Sequence, residues 1–388
     1  MSVELEFIQV FLNNIKLKRK RGLNMKDWMG KIRTLSLFSF LVIILSACGK
    51  DNLTALVPKG YGAEQSFNVI IISILVMIVV FVVVMAIYVY VILKYRQRKG
   101  QEDQIPKQTE GNKTLEVVWT VIPILLLIII AVPTIASTYD LADESEKEDS
   151  INVNVTGLQF WWNFEYPNEE IQTSQELYIP VNERIYLNMM SSDVIHSFWV
   201  PSITGKMDVS PENENTMYIE AYEEGVYWGK CTEFCGDSHS LMDFKIVAVS
   251  QEEYDQWVDA MQSTDPEYTA ESATAQEGQE LFENSCISCH AIDASSNHPV
   301  VGPNLADFAN RTKVAGINDF SKEEIVRWIV DPAEVKPGNG MLDAPYLEEN
   351  TIGQAEAEKI ADFLLELKAT DEPVDSVQQF RENEANDN

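Results

Sequence analysis

Apolar residues run along this chain in three different rhythms. Near the front they are continuous: Phe67 to Leu93 and Val117 to Thr138 contain no charged residue. At about 1.5 Å per helical residue, each is long enough to cross a hydrocarbon core of about 30 Å, so both are predicted to be transmembrane helices. After residue 150 the rhythm shortens to β-rich runs, INVNVTGLQFWWNFEY (151–166), ELYIPVNERIYLNM (176–189), TMYIEAYEEGVYWGKC (216–231) and DFKIVAVS (243–250), with turn-rich pieces between them. That pattern predicts a small antiparallel sandwich or barrel. A helical pattern begins at Gln276 and returns as an amphipathic helix over Ile352 to Leu367. The fold class is therefore a multi-domain membrane protein, with a two-helix transmembrane hairpin, a β-sandwich and an all-α C-terminal domain.

Charge orients the hairpin. Lys94, Arg96, Arg98, Lys99, Lys107 and Lys113 lie between the two spans, and this positive excess places the loop in the cytoplasm and everything from about Tyr139 onward outside it. A shorter apolar run, Leu35 to Leu45, follows Lys26, Lys31 and Arg33 and ends in Leu45-Ser46-Ala47-Cys48. Basic flank, short apolar stretch and small residues before the cut describe a signal peptide over 1–47. Cysteine directly after Leu-Ser-Ala resembles a bacterial lipoprotein box, implying cleavage before Cys48 and a lipid on its sulfur. An uncleaved anchor with an inert Cys48 is the alternative. Met25 makes a better start than Met1, leaving 1–24 as an upstream over-prediction.

The whole chain carries 60 acidic against 29 basic residues, a formal charge of −31. Such a balance repels phosphate backbones and argues against a nucleic-acid partner. A surface kept soluble by its charge is one reading of it, and a basic protein partner the other. Residues 140–150 and 369–388 concentrate acids and read as a solvated linker and a disordered tail, and 263–275 reads as a second polar linker.

The chemistry lies in KCTEFCGDSHSLM (230–242), which gathers Cys231, Cys235, His239 and Met242 between two strands. A disulfide or a structural zinc site would account for the cysteines. Neither accounts for Met242, whereas thiolate, imidazole and thioether together suit copper. With His290 and His298 belonging to the C-terminal domain, His196 in SSDVIHSFWVP is the natural second imidazole.

HSFWVPS and CTEFCGDSHSLM resemble the two ligand segments of the dinuclear copper (Cu-A) domain of the cytochrome c oxidase subunit II family, a cupredoxin-like sandwich (139–262). The resemblance implies that Cys231 and Cys235 bridge two coppers, that His196 and His239 each bind one, and that Met242 and the carbonyl of Glu233 are weaker ligands. It also implies a magnesium ligand in the Glu233 carboxylate, with Asp208 of GKMDVSP beside it, and a proton-channel entrance at Glu116 of LEVVWTVIP. A carboxylate favoured by a helix N-terminus is the other reading of Glu116. GLQFWWNFEYP resembles the family's aromatic string, but Phe160 stands where a tryptophan usually receives the electron, so either Phe160 or the neighbouring Trp161 serves.

In the C-terminal domain (276–368), Cys286-Ile287-Ser288-Cys289-His290 has the C-x-x-C-H form of c-type haem attachment, with His290 as proximal ligand. Downstream of His290 the sequence has a single methionine, Met341, in the Gly- and Pro-rich KPGNGMLDAPYL, which suits a loop over the haem face. His298 is the rival axial ligand. Gly302-Pro303-Asn304-Leu305 and the terminal helix add to a resemblance to class I cytochromes c.

Lipid-anchored segment (48–66), two spans, Cu-A domain and fused cytochrome c match the order of subunit II from a caa-type oxidase in a bacterial plasma membrane. The resemblance implies an electron relay from a cytochrome c donor through this chain's haem to the copper pair and on to subunit I, where dioxygen is reduced and protons are pumped. Other oxidase subunits, copper and haem insertion factors and membrane lipid are the implied partners. A Cu-A-bearing nitric oxide reductase subunit, a free-standing electron carrier, and a non-redox binding protein holding zinc and a disulfide remain as alternatives.

Overall fold

The computed structural model describes residues 25–45, 50, 52–96, 100 and 110–387. Cys48, the proposed cut before it, residues 1–24 and much of the basic loop lie outside the described residues. Helix α1, Met25–Leu45, contains the apolar run assigned to the signal peptide.

From residue 51 the chain is one unit. Helices α2 (Tyr61–Tyr95) and α3 (Lys113–Leu141) pack as a pair and extend beyond the uncharged runs at both ends. Asn112 caps α3 by accepting from the amides of Thr114 and Leu115. Beyond the first turn of α2 no side chain of either helix is buried, as suits a lipid-facing hairpin. The sandwich sits directly on the first turn of α2. Tyr61 and Ala63 donate their amides to the carbonyls of Glu220 and Ile203, and a Cβ on Gly60 would come within 2.4 Å of the Glu220 oxygen.

Ten strands follow: β1 Ile151–Leu158, β2 Trp161–Tyr166, β3 Ile171–Ser174, β4 Glu176–Pro180, β5 Ile185–Ser191, β6 His196–Trp199, β7 Lys206–Val209, β8 Asn215–Ile219, β9 Gly225–Cys231 and β10 Asp243–Val249. They form two five-stranded sheets, ordered β3-β2-β1-β5-β8 and β4-β10-β9-β6-β7. The β1/β5 and β4/β10 pairs are parallel, so the sandwich is mixed where an antiparallel one was predicted. Strand alternation sends Val153, Val155, Trp162, Phe164, Phe198, Phe244 and Ile246 into a core from which water is excluded. Helix α4, Gln251–Gln262, starts at a Ser250/Glu253 capping box and lays Trp257 on Tyr178, with ring centroids 4.6 Å apart.

The acidic stretch 140–150 is largely exposed, as a solvated linker would be, and is anchored at two points. Arg184 reaches Glu146 at 3.1 Å, and the Tyr186 hydroxyl donates to the carbonyl of Asp143. Within 263–275, Ala270 is buried and its amide donates to Gln279, so this stretch also packs.

The C-terminal domain comprises α5 (Ala273–Ser285), a β11/β12 ribbon (Lys313–Val314, Asn318–Asp319), α6 (Lys322–Val330), α7 (Pro332–Val335), α8 (Pro345–Glu348) and α9 (Gln354–Leu364) around Phe282, Phe308, Ile325, Ile360 and Phe363. Trp328 packs against this core. Gly278 lies so close to α9 that a Cβ would come within 1.9 Å of the Lys359 oxygen.

A seam of hydrogen bonds joins this domain to the sandwich. Gln172 donates its amide to Ala294, and buried Glu176 accepts from the amide and hydroxyl of Thr312. Buried Lys245 donates to the carbonyl of Gly316 while its Nζ lies 3.6 Å above the Trp228 ring.

The tail corrects the expectation of disorder. Residues Asp375–Asp387 form helix α10, with Val377 and Phe380 buried in the sandwich core and Phe380 against Trp228. Arg381 donates to the carbonyls of Ala309 and Arg311 in the C-terminal domain. Burial of two apolar side chains and the hydrogen bonds of Arg381 offset the repulsion among the acids of this helix.

Candidate functional site

The β9–β10 connection folds back on itself, and a short turn, His239–Leu241, brings its sulfur and nitrogen atoms together. The Sγ atoms of Cys231 and Cys235 are 3.8 Å apart, well beyond the roughly 2.05 Å of a disulfide. Nδ1 of His239 and Sδ of Met242 lie 3.6 and 3.8 Å from Cys235 Sγ. His196 enters from β6 with Nδ1 3.9 Å from Cys231 Sγ, and the Glu233 carbonyl lies 3.3 Å from the same sulfur. His196, Cys231 and Cys235 are all buried, with ligand atoms within 4.8 Å of one another.

Neighbours fix the orientation of these groups. Nε2 of His196 donates to Oδ1 of Asp193 at 2.7 Å, which leaves the Nδ1 lone pair free toward the sulfurs. Asp193 accepts the amide of Gln159, whose side chain donates to the Cys235 carbonyl. A Cβ on Gly157 would come 2.9 Å from the His196 ring, so glycine makes room for the imidazole. Burial opposes ionisation of Cys231, but the His196 ring and the Ser197 backbone outweigh it and lower its pKa. Burial and the adjacent Cys231 raise that of Cys235. Two thiols, two imidazole nitrogens, a thioether and a carbonyl can hold soft metal ions.

Other sequence-derived candidates are dispersed. Glu233 is exposed; Asp208, also exposed, pairs with Ser197 across β6/β7 and has a carboxylate oxygen 3.5 Å from Lys206 Nζ. Glu116 is in the first turn of α3, far along the chain from this cluster. Phe160 is buried and Trp161 half-buried, while Trp162 stands edge-on to His196 with centroids 5.9 Å apart.

In the C-terminal domain, Cys286 and Cys289 are free thiols. Nδ1 of His290 donates to the Pro303 carbonyl at 2.8 Å, leaving Nε2 unprotonated, and burial holds the imidazole below its ordinary pKa. An open crevice lined by Ile287, Cys289, His290, Ile292 and Val301 lies beside it. His298 lines the same crevice, but its Nε2 is held 2.6 Å from Asp293. Met341 packs on the core that also carries Cys286.

Three family descriptions match the chain: "Cytochrome C oxidase subunit II, transmembrane domain" over 61–136, "Cytochrome C oxidase subunit II, periplasmic domain" over 169–249, and "Cytochrome c" over 275–368. Cytochrome c oxidase subunit 2 of Bacillus sp. strain PS3 is 43% identical, over 87% of this chain and 97% of its own length. This chain belongs to the cytochrome c oxidase subunit II family. The corresponding Bacillus subtilis subunit is 42% identical, over 89% of this chain and 99% of its own. A solved periplasmic domain of subunit II of cytochrome oxidase from Bradyrhizobium japonicum is 28% identical, matching 28% of this chain and 91% of that one with a TM-score of 0.28. As a subunit II with a fused cytochrome c domain, the protein transfers electrons within a membrane-bound cytochrome c oxidase and works with other oxidase subunits. Its two extramembrane domains imply copper and haem.

Sequence reasoning missed Asp193, Gln159 and the residues of the seam. Asp193 had a signal, since it stands three positions before His196 where a short turn can return its carboxylate to the ring.

Proposed function

We propose that the sulfur cluster is a dinuclear Cu-A centre held by Cys231, Cys235, His196, His239, Met242 and the Glu233 carbonyl, and that the C-terminal crevice holds a covalent haem c. The observation carrying this reading is the pair of free sulfurs 3.8 Å apart, each within 4 Å of an imidazole Nδ1. Zinc would leave Met242 unexplained, and the gap is too wide for a disulfide. Bound there, the copper pair supplies a one-electron store shared through both sulfurs. The chain turns Nδ1 of His196 toward the sulfurs through Asp193, ties the Cys235 carbonyl to Gln159, and keeps His196, Cys231 and Cys235 away from water by burial.

Cys286, Cys289, His290 and Met341 would hold the haem, which would supply a one-electron carrier there, and the Pro303 carbonyl sets the His290 tautomer. Electrons enter through the haem domain from a cytochrome c, pass to the copper site and leave for subunit I. Phe160 is covered by the fused domain, which favours the haem domain over direct docking at that aromatic. The Glu233 carboxylate, with Asp208 on the neighbouring edge, is assigned to a magnesium ion shared with subunit I, and Glu116 to a proton entrance. In this reading the sandwich (139–262) and cytochrome (276–368) follow two spans and lie outside the plasma membrane, with Cys48 lipidated after removal of 1–47. Copper and haem insertion factors complete the set of partners.

Elemental analysis and optical and spin-resonance spectra of the purified oxidase test this. Two coppers and one covalent haem per chain are expected at these sites. Cys231→Ser should abolish the Cu-A signal and leave the haem; retention of that signal overturns the ligand assignment.

A further inference from the structure

At the seam between sandwich and cytochrome, two loops touch. One, 235–239, carries two of the proposed copper ligands; the other, 336–341, carries the proposed haem ligand Met341. The Ser238 hydroxyl, fully buried, donates to the Pro337 carbonyl at 2.7 Å. Lys336, 3% exposed, donates from Nζ to the Phe160 carbonyl at 3.1 Å. Gly338, at φ +71°, fits against Asp237, whose Oδ2 would lie 3.2 Å from an added Cβ. Asn339 closes the second loop by accepting the Met341 amide at 2.9 Å and donating to the carbonyls of Lys336 and Pro332.

A hydroxyl and an ammonium removed from water are costly unless paired. Here both make their bonds across the seam, so separating the loops would leave each without its partner. The resulting contact has a direct consequence for charge movement. From Met341 the backbone leads to the Pro337 carbonyl, and from Ser238 it leads to His239. One hydrogen bond is the only gap in an otherwise covalent route between the two ligand sets.

We propose that Ser238 and Lys336 are positioning residues that seat the Met341 loop on the His239 loop, so that electrons cross through the Pro337 carbonyl and the Ser238 hydroxyl. The inference rests on the ligand assignment above. One electron moves: oxidation at the haem site balances reduction at the copper site, and no bond or proton is exchanged.

The test uses the whole oxidase carrying Ser238→Ala, Ser238→Thr or Lys336→Met, with copper and haem counted in each. A photoactivated one-electron donor reduces the haem, and transfer to copper is timed. Ser238→Ala and Lys336→Met are each expected to slow this step by about tenfold or more, while Ser238→Thr, which keeps the hydroxyl, restores it. In the unloaded full chain, Lys336→Met should also speed hydrogen exchange at the amides of Asn339 and Met341. Wild-type rates in both slowed candidates at full loading overturn the proposal. A wild-type chain lacking copper or haem overturns the ligand assignment instead.

Discussion

Nε2 of His196 lies 2.7 Å from Oδ1 of Asp193, and that contact turns Nδ1 toward Cys231. An imidazole without such a partner loses both its fixed tautomer and its orientation. Asp193→Ala is expected to weaken copper binding by about 10–100-fold while the sandwich stays folded. Copper titration of the detergent-solubilised chain measures it, and unchanged affinity would remove Asp193 from the site.

Gly302 plays the matching part beside His290, the proposed haem ligand. A Cβ there would come 2.9 Å from Cε1 of His290 and 3.0 Å from the Cys289 carbonyl. Gly302→Ala should therefore displace the ring from Pro303, lowering haem yield and shifting the haem absorption, with the copper spectrum intact. Normal haem spectra in this variant would show that the ring has room to move.

Helix α10 makes a third expectation. Truncating Phe380, which is 6% exposed, removes its contact with Trp228, and large-to-small changes at such sites cost about 3 kcal/mol or more. Phe380→Ala should loosen α10 and speed amide exchange through 309–316, where Arg381 is anchored. Native protection in that segment would contradict the packing role.

Stability should depend on pH through the buried lysines of the seam. Burial pushes Lys245 down to about 7, against the opposing charges of Asp243 and Glu176, and burial pushes Lys336 down to about 8. Both start from an ordinary value of 10.5. At these two lysines the unfolded chain therefore binds more protons than the folded one between about pH 7 and 10.5, and their contribution to stability rises with pH across that window. Denaturant midpoints measured at pH 7 and pH 9 should increase, and Lys245→Met should flatten the rise.

What could be read from the sequence was local. The two spans needed only uninterrupted apolar residues, and the sulfur cluster needed only thiol, imidazole and thioether within a few positions of one another. His196 came by elimination among four histidines, and the fold brings it to Cys231 from a separate strand. Strands β3, β6 and β7, four residues each, are too short to show alternation. The tail misled because Val377 and Phe380 are isolated among acids, and the surface that buries them is formed by strands far earlier in the chain. The seam was hidden for the same reason: no pattern around Lys336 announces that its partner is the backbone of Phe160.

Helix α10 also bears on how the molecule is made. Because Val377 and Phe380 fill out the core of a sandwich whose strands end at Val249, that core is completed only by residues that follow the whole cytochrome domain. A chain truncated after the cytochrome domain would therefore leave that part of the sandwich core open to water.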